Sequence, residues 1–453
     1  MPTKCNAIQA KDTAAQTGGK WRFLPVFVCL ISTSVASGGQ AIPSFPCPPT
    51  TLALSDDQTT VVSGNTAFAL DLYQQLAKSN GNLFFSPVSI STALGMTYAG
   101  ARGETAHEMA RVLHFDLRQE TLHPALGSLF HLVQDSKASY EFDADNAVWL
   151  QRDLPVEENF ITLLERNYGA GPEFVDFSKA GEQARGAINA RVEKQTHGKI
   201  KDVLPSEVIS PDVRLVSTST IYFKAGWMVP IDAKKTRVEN FHITAAANIR
   251  VPFMHIAEDN VHFRYFDGGY FEALEMPYRD AGATKDSFGQ PCDRSSLSMI
   301  VFLPKGNKSL SALELSFTNT NLPNWLNQLQ PGNRPIIVTF PKFQTSGQFQ
   351  LSDTLQALGV RLAFSTDADF SGITSAEPLR ISDIRHKTLV SVEEKGTEAA
   401  AATAAISVPI STGPPPTPIN FRADHPFIFL IRDNRSGSIL FLGRIVNPGS
   451  SGM

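Results

Sequence analysis

This chain of 453 residues has few cysteines, little excess of either sign of charge and few long apolar runs. Its 40 Lys and Arg against 44 Asp and Glu give a formal net charge of −4, so neither nucleic acid nor a membrane surface is expected as a partner. The four cysteines, Cys5, Cys29, Cys47 and Cys292, lack the close spacing of a metal-binding cluster. Cys47 and Cys292 would survive removal of an N-terminal signal, either as one disulfide or as two free thiols.

The motifs of common enzymes are also missing. The chain contains no Gly-x-Ser-x-Gly nucleophile turn, no His-Glu-x-x-His zinc pair and no glycine-rich phosphate loop. His107 and His114 have a spacing that could place them on one helix face, but two histidines without a third ligand do not predict a metal site. The carboxylates are scattered and suggest no acid/base pair. We therefore expect no enzyme activity, no cofactor and no bound metal.

The N-terminus has the order of an export signal. Lys20 and Arg22 precede an apolar run at 23–31, which is too short to span a bilayer, and small residues follow it. Small-x-small patterns predict cleavage near residue 36 or residue 41. We expect residues 1–41 to be a signal peptide and the mature protein to be secreted, or periplasmic in a bacterium; a disordered N-terminal tail is the alternative. No other segment is long and apolar enough to span a membrane.

Patterning beyond this point predicts one mixed α+β domain. Residues 42–61, rich in Pro, Ser and Thr, predict a flexible extension, and apolar residues recur at helical spacing from Asn65 onwards. Further helices are predicted near 86–94, 105–114, 121–134, 157–168, 179–197, 309–328 and 351–359. Segments rich in β-branched and aromatic residues predict strands at 216–224, 271–276, 297–303, 335–340 and, around a turn at 433–437, within 426–446. A polar insertion at 278–295 predicts a surface loop. Without repeats or linkers between 65 and 390, a single domain over 62–453 fits best.

The segment after Glu394 is unusual because its side chains are nearly all small. Gly396 is followed by Thr397, Glu398, Ala399, Ala400, Ala401, Ala402 and Thr403. The alanine run alone is compatible with a short helix or a flexible linker. However, it continues a strand-like run at 388–392 and leads into a proline-rich stretch that cannot be helical. As a strand it would carry Glu398 on one face only, so it could be exposed in one state and inserted in a sheet in another.

Several short motifs resemble, in the same order, those of the serpin family. They are Asn-Leu-Phe-Phe-Ser-Pro-Val-Ser-Ile at 82–90, Ile-Tyr-Phe-Lys-x-Gly-Trp at 221–227, Ala-Asp-Phe-Ser-Gly-Ile at 368–373, His-Lys-Thr at 386–388, Glu-Lys-Gly-Thr-Glu at 394–398, Asp-His-Pro-Phe-Ile-Phe at 424–429 and Gly-Arg-Ile-Val-Asn-Pro at 443–448. The resemblance covers roughly residues 62–448. It implies a single large domain with a dominant mixed β-sheet, helices packed around that sheet, and an exposed reactive loop at about 394–420.

The resemblance also implies roles for particular residues. Trp227 and Glu394 would lie in the breach, where loop insertion begins, while Ser86, Ser89, Ser219 and His386 would form the shutter beneath the sheet. This chain departs from the family at three positions, where the usual residues are Asn at Ser219, often Trp at Arg191, and Gly at Ala225. The hydrogen bonding of the shutter and the local helix packing are therefore expected to differ from the family pattern.

Most serpins are suicide inhibitors of serine proteases, and the resemblance implies a reactive bond. Counting 14 residues from the hinge glycine Gly396 gives Ile410, so the bond is Ile410–Ser411, with Val408 and Pro409 preceding it. A β-branched residue suits a shallow specificity pocket, which predicts an elastase-like or chymotrypsin-like protease as partner. Trypsin-like proteases are disfavoured because the stretch 396–421 contains no Lys or Arg.

The small hinge favours an inhibitor over the alternative, a non-inhibitory serpin acting as a carrier or chaperone. Residues 105–125 carry about as many acids as bases, so no heparin site is expected, and the protein is expected to be a monomer. Asn307 and Asn434 begin Asn-x-Ser sequences, which are glycosylation acceptors only in a eukaryotic secretory pathway.

Overall fold

The computed structural model describes residues 52–134, 140–206, 209–256, 263–280, 284–285, 291–292, 295–306, 308–331, 334–394 and 417–450. Their α-helices, in chain order, are α1 (Asp56–Leu76), α2 (Pro87–Tyr98), α3 (Gly103–Leu113), α4 (Gln119–Val133), α5 (Glu158–Tyr168), α6 (Gly181–Gln195), α7 (Leu310–Glu314), α8 (Asn321–Gln328) and α9 (Ser352–Leu358). Short 3-10 helices occur at Ala233–Lys235 and Leu362–Phe364.

Two helix predictions differ from the structure. Helix α1 begins at Asp56, inside the segment 42–61 predicted to be flexible, because Ser55 and Gln58 form a capping box that satisfies the first backbone N–H groups. The single helix predicted at 309–328 is two helices, α7 and α8. Between them, Asn321 donates its backbone N–H to the Thr318 hydroxyl and its amide to the Ser316 carbonyl, and such local bonds compete with helix formation.

The strands, in chain order, are β1 (Leu83–Phe85), β2 (Glu141–Gln151), β3 (Glu173–Val175), β4 (Leu215–Lys224), β5 (Arg237–His242), β6 (Asn248–Ile256), β7 (Arg264–Asp267), β8 (Phe271–Pro277), β9 (Thr284–Lys285), β10 (Pro291–Cys292), β11 (Leu297–Pro304), β12 (Gln330–Pro331), β13 (Ile336–Pro341), β14 (Phe343–Gln350), β15 (Asp383–Val392), β16 (Ile419–Arg422), β17 (Phe427–Asp433) and β18 (Ile439–Ile445). All the predicted strands are confirmed. The polar insertion at 278–295, predicted to be loop, contains the antiparallel pair β9–β10.

These strands build three larger sheets. The seven-stranded sheet has the order β1-β18-β17-β11-β8-β7-β12, the four-stranded sheet β16-β13-β6-β5, and the five-stranded sheet β14-β15-β4-β2-β3. Within the five-stranded sheet, β14–β15 and β2–β4 are antiparallel, whereas β15 and β4 are parallel. The chain thus passes from the five-stranded sheet, at the end of β15, to the four-stranded sheet, at the start of β16.

Three clusters of buried apolar residues hold the layers together. One joins α1, α2, α4 and α5 to both the five-stranded and seven-stranded sheets, for example through Leu94, Val148 and Leu442. A second, rich in stacked phenylalanines such as Phe84 and Phe441, lies among the three larger sheets. The third packs α6, the segment 196–206 and residues 209–213 against the five-stranded sheet. The fold is therefore α+β, as expected, and the five-stranded sheet is covered on both faces.

Strands β2 and β14 were not predicted from the sequence because polar side chains interrupt their apolar patterns. In β2, Asp145 faces Arg191 of α6 and Asn146 faces Ser89 of α2, so both faces of the strand carry a polar residue that has a partner. In β14, Gly347 lies against β1, where an added Cβ would come within 1.9 Å of the Phe84 carbonyl oxygen. Such positions mimic loop composition although their environment is buried.

This close approach makes Gly347 a sensitive position. Gly347→Ala should push the Phe84 carbonyl away and break its 2.9 Å hydrogen bond from the Thr388 hydroxyl of β15. Overpacking against backbone should cost about 2–3 kcal/mol and lower the thermal midpoint of the uncleaved protein, measured by circular dichroism.

Gly186→Ala is the matched control, since Gly186 is exposed on α6 and an added Cβ would meet nothing within 4 Å. Alanine is the better helix former, so this change should leave the midpoint unchanged or raise it. Equal midpoints for the two variants would contradict the packing described for β14.

Candidate functional site

The parallel pairing of β4 with β15, called here the β4–β15 junction, is the centre of the site. Eight residue pairs form it, from Val216 with Asp383 to Phe223 with Val390. Beyond Phe223 the strands part, and a shallow cleft between them is lined by residues that include Trp227 and Glu393. A strand that reverses direction after β15 would run antiparallel to both β15 and β4. A reversed strand placed between β15 and β4 would replace one parallel pair by two antiparallel pairs, which are slightly more stable per residue.

His386 lies beneath the middle of this junction and is fully buried. The Ser86 backbone N–H donates to its Nε2 at 3.0 Å, so the ring proton resides on Nδ1. Nδ1 lies 3.1 Å from the Ser219 carbonyl oxygen and 3.0 Å from the Ser219 hydroxyl, across the junction on β4. Burial lowers the pKa of His386 to about 3, and the ring is neutral at physiological pH. The neutral ring therefore bridges α2, β15 and β4.

The serines extend this network away from the histidine. The Ser219 hydroxyl donates to the Ser89 hydroxyl at 2.9 Å, and Ser89 donates in turn to the Asn146 side-chain oxygen on β2 at 2.8 Å. The Ser86 hydroxyl caps α2 by accepting from the Ser89 backbone N–H, and it donates to the Leu440 carbonyl of β18. The structure thus brings together all four shutter residues named from the sequence.

Asn146 is the member of this network that sequence analysis missed. It is the Cα partner of Ser219 in the β2–β4 ladder, so the amide side chain expected on β4 is supplied by the neighbouring strand. The sequence signal was an isolated Asn just before the apolar run of β2, which gives no indication of its partner.

The end of β15 is held by a second group of contacts. The Trp227 indole stacks on Tyr278, with ring centroids 4.7 Å apart, and donates its N–H to the Glu393 carbonyl at 3.0 Å. The Glu394 carboxylate lies 2.6 Å from the Lys342 ammonium and accepts from the Thr236 hydroxyl at 2.5 Å. Burial alone would raise the pKa of Glu394, but these two hydrogen bonds hold it below its ordinary value. Glu394, the last described residue before 395–416, is therefore held by an ion pair and a hydrogen bond.

The chain resumes on the four-stranded sheet. Strand β16 is parallel to β13, and the Arg422 guanidinium at its end bonds the carboxylates of Glu239 on β5 and Asp424. Arg334 donates to the carbonyls of Thr417 and Pro418. The described residues that flank 395–416 are thus held by side-chain contacts, close to the end of β15 on one side and to the start of β16 on the other.

Several predicted site residues lie outside the described residues. These are the hinge residues Gly396, Thr397, Glu398, Ala399, Ala400, Ala401, Ala402 and Thr403, the loop residues Val408, Pro409, Ile410 and Ser411, and also Cys47 and Asn307. The roles assigned to them stay predictions.

Comparison with known proteins agrees with this architecture. The family model described as Serpin (serine protease inhibitor) matches residues 63–448. The chain belongs to the serpin family. A serpin-like protein of Thermococcus kodakarensis is 38% identical over 389 residues, covering 86% of each chain. The leukocyte elastase inhibitor of Sus scrofa is 36% identical over 395 residues, covering 85% of this chain and 99% of that protein.

A solved structure shares the fold of this serpin as well. Human thyroxine-binding globulin, crystallised as a complex with thyroine, superposes with a TM-score of 0.73 at 30% identity, covering 87% of this chain and 100% of that chain. The family therefore includes members of different kinds, and the fold alone does not choose among them.

Two further features bear on predicted sites. Asn434, a possible glycosylation acceptor, donates its amide nitrogen to the Ser298 hydroxyl at 2.6 Å and to the Ser295 carbonyl at 3.2 Å, so the attachment atom is engaged in the folded protein. Within the described ranges, no group of three or more His, Cys, Asp or Glu side chains could hold a metal ion. Nor does any helix in that part of the chain have the length and apolar character of a membrane span.

Buried neutral histidines should make the uncleaved serpin sensitive to acid. His386 has a pKa of about 3 in the fold, and burial lowers the pKa of His123, on α4, to about 4. Both values lie below the unfolded value near 6.5, so the unfolded state binds more protons and stability falls as pH drops from 6.5 towards 4. Each histidine contributes at most about 1.4 kcal/mol per pH unit. The thermal midpoint, followed from pH 7 to pH 4, should fall accordingly.

His386→Gln should make the fall of stability with pH less steep by the contribution of one histidine, at most about 1.4 kcal/mol per pH unit. Glutamine can still accept the hydrogen bond from the Ser86 N–H, but it does not titrate. His107→Gln, on the exposed face of α3, is the control and should leave the slope unaltered. The same slope for His386→Gln and the wild type would show that His386 is not held neutral by burial.

Asn146 should matter to stability because it accepts the Ser89 hydroxyl. Asn146→Ala should cost about 1–2 kcal/mol in the free energy of unfolding, since it leaves a buried hydroxyl without its acceptor. Adding Ser219→Asn, which returns an amide to β4 within reach of Ser89, should recover part of this loss. Asn240→Ala, at an exposed site on β5, is the control; if it costs as much, the network does not depend on Asn146.

Proposed function

We propose that this serpin is a secreted suicide-type inhibitor of serine proteases. The observation that carries the proposal is the β4–β15 junction, a parallel pair of strands between antiparallel neighbours. Next to its last residue pair, Phe223 with Val390, lies a cleft lined in part by Trp227. Strand β15 ends at Val392, and after Glu394 the sequence continues with small residues that would fit such a junction without steric rebuilding. The family description, which names an inhibitor of serine proteases and not an enzyme, supports the same function.

The chemistry follows from the protease partner. Its serine attacks the Ile410 carbonyl carbon, the Ile410–Ser411 bond breaks, and the amine of Ser411 leaves with the proton that the protease histidine took from its serine. Ile410 then remains as an acyl ester on the protease. About 15 loop residues, entering the junction at roughly 3.3 Å each, would carry the tethered protease about 50 Å before water can release it. The uncleaved fold is therefore under kinetic control, since insertion completes the sheet.

The target we propose is an elastase-like protease. Ile410 is medium-sized and β-branched, and the loop offers no Lys or Arg for a trypsin-like pocket. The similarity to the leukocyte elastase inhibitor of Sus scrofa favours the same class. The likeness to thyroxine-binding globulin would favour a carrier instead, but a carrier has no need of a hinge made of small residues.

The decisive experiment mixes the purified protein with pancreatic elastase and analyses the products by denaturing gel and intact mass. We expect an SDS-resistant adduct and a released peptide that begins at Ser411. The cleaved protein should also resist heating better than the uncleaved one. Cleavage with neither an adduct nor a gain in heat resistance would overturn the proposal.

Two hinge variants sharpen this test by using the alternation of the inserted strand. Thr397→Arg puts a charge on the face that carries none, so cleavage should continue while the adduct is lost. Glu398→Arg is the matched control, because the wild type already carries a charge on that face, and it should keep most of the adduct. Loss of the adduct in both variants would contradict the assignment of the two faces.

Secretion is the remaining part of the proposal. Residues 1–41 would be removed as a signal peptide, leaving 42–55 as an extension ahead of α1. Sequencing the N-terminus of the exported protein tests this, with a start near residue 37 or residue 42 expected and retention of Met1 contradicting it.

A further inference from the structure

Helix α6, the segment 196–206 and residues 209–213 form a cover over one face of the five-stranded sheet. Ile188 and Val192 of α6 and Leu204 of the segment pack in one buried cluster with Tyr222 of β4, and Leu389 of β15 lies against the same cluster. Tyr222 and Leu389 are Cα partners across the β4–β15 junction. The cover therefore crosses the junction, and a strand that enters the junction must separate it from one side.

On the β15 side the cover is weakly attached. The Lys387 ammonium donates one hydrogen bond, of 2.8 Å, to the Lys201 carbonyl, and this contact is exposed. Leu389 is only partly buried against the cluster. Breaking one exposed hydrogen bond to a neutral acceptor and exposing a half-buried leucine should cost little free energy.

On the other side one guanidinium attaches α6 to two strands at once. Arg191 places its Nε and Nη2 3.2 and 3.1 Å from Asp145 Oδ1 on β2, and its Nη1 donates to Glu173 on β3. The guanidinium also lies over the Trp149 ring, 5.6 Å from its centroid. The Asp145 side chain is only 6% exposed, whereas those of Arg191 and Glu173 are 25% and 40% exposed, so the charge-assisted bonds to Asp145 are the buried part of this attachment.

The geometry of β2 explains why Arg191 fits there. Asp145, Ala147 and Trp149 share one face of the strand because side chains alternate, and that face lies under α6. Arg191 is three residues, about one turn, from Ile188, so it extends from the buried side of the helix towards the carboxylates. An attachment that an aromatic side chain would make by packing is made here by charge.

We propose that Arg191 is a positioning residue that keeps α6 on β2 and β3 both before and after a strand enters the β4–β15 junction. The cover then stays attached to β2 and β3, and among its described contacts those with Lys387 and Leu389 of β15 are the ones that separate. This inference rests on the proposed function, because it concerns how the sheet opens for the cleaved loop. Arg191 touches neither the loop nor the protease.

Hydrogen exchange of α6 amides, followed by mass spectrometry on the full-length protein, tests this proposal in the uncleaved and the elastase-cleaved forms. Arg191→Leu should speed exchange in Gly181–Gln195 by more than tenfold in both forms, because it leaves the buried Asp145 carboxylate without a cation. Lys194→Leu, which removes an exposed charge from the same helix, is the matched control and should leave exchange unchanged. Adding Asp145→Asn to Arg191→Leu removes the unpaired buried charge without returning the attachment, so exchange in α6 should stay faster than in the wild type. Full restoration of the wild-type rate would show that Arg191 only neutralises Asp145 and would overturn the proposal.

The outcomes separate this inference from the proposed function. Wild-type exchange rates in α6 of Arg191→Leu, or faster exchange in the uncleaved form alone, would overturn the role of Arg191. A wild-type protein that gains no heat resistance on cleavage would overturn the proposed function and the cleaved-state half of the inference with it. If Arg191→Leu fails to fold, Arg191→Lys supplies the measurement, since lysine keeps the charge but cannot bond two carboxylates with a planar fork.

Discussion

The parallel pairing of β4 with β15 is the constraint on which the rest of this serpin depends. Both strands are covered on both faces, so their pairing must satisfy every backbone group while the sheet is closed. The same pair must also be the place where the sheet separates if a further strand is to enter. A parallel pair between antiparallel neighbours meets both demands, because an inserted reversed strand improves the hydrogen bonding it replaces.

Buried polar side chains give this junction its register. A neutral His386, three serines and Asn146 would be costly in an apolar core if they lacked partners, but each joins a chain of hydrogen bonds that links α2 to three strands. A one-residue slip of β15 would turn His386 to the opposite face and leave Ser86 and Ser219 without it. The polar network therefore fixes one alignment, which apolar packing alone would specify less sharply.

The scaffold tolerates exchanges of chemistry as long as the contacts are preserved. The amide of the network lies on β2, at the Cα partner of Ser219, and the side chain that attaches α6 to the sheet is a guanidinium shared by two carboxylates. Glu394, just after β15, pairs with Lys342, and Arg422, on β16, pairs with Glu239. If a peptide bond in 395–416 were cut, this stretch of backbone would no longer connect β15 to β16.

The sequence by itself determined the family, the mixed α+β class and the apolar strands, and it pointed to four residues that the structure brings together, because these depend on local periodicity and on motifs of adjacent residues. Only the tertiary structure decided that Asn146 completes the network and that Arg191 bonds Asp145 and Glu173, because those partners are far apart in the chain and their polarity imitates a loop. It also decided that α1 begins at Asp56 and that 309–328 is broken into two helices. Those boundaries are set by hydrogen bonds between side chains and the backbone, and the periodicity of apolar residues gives no information about such bonds.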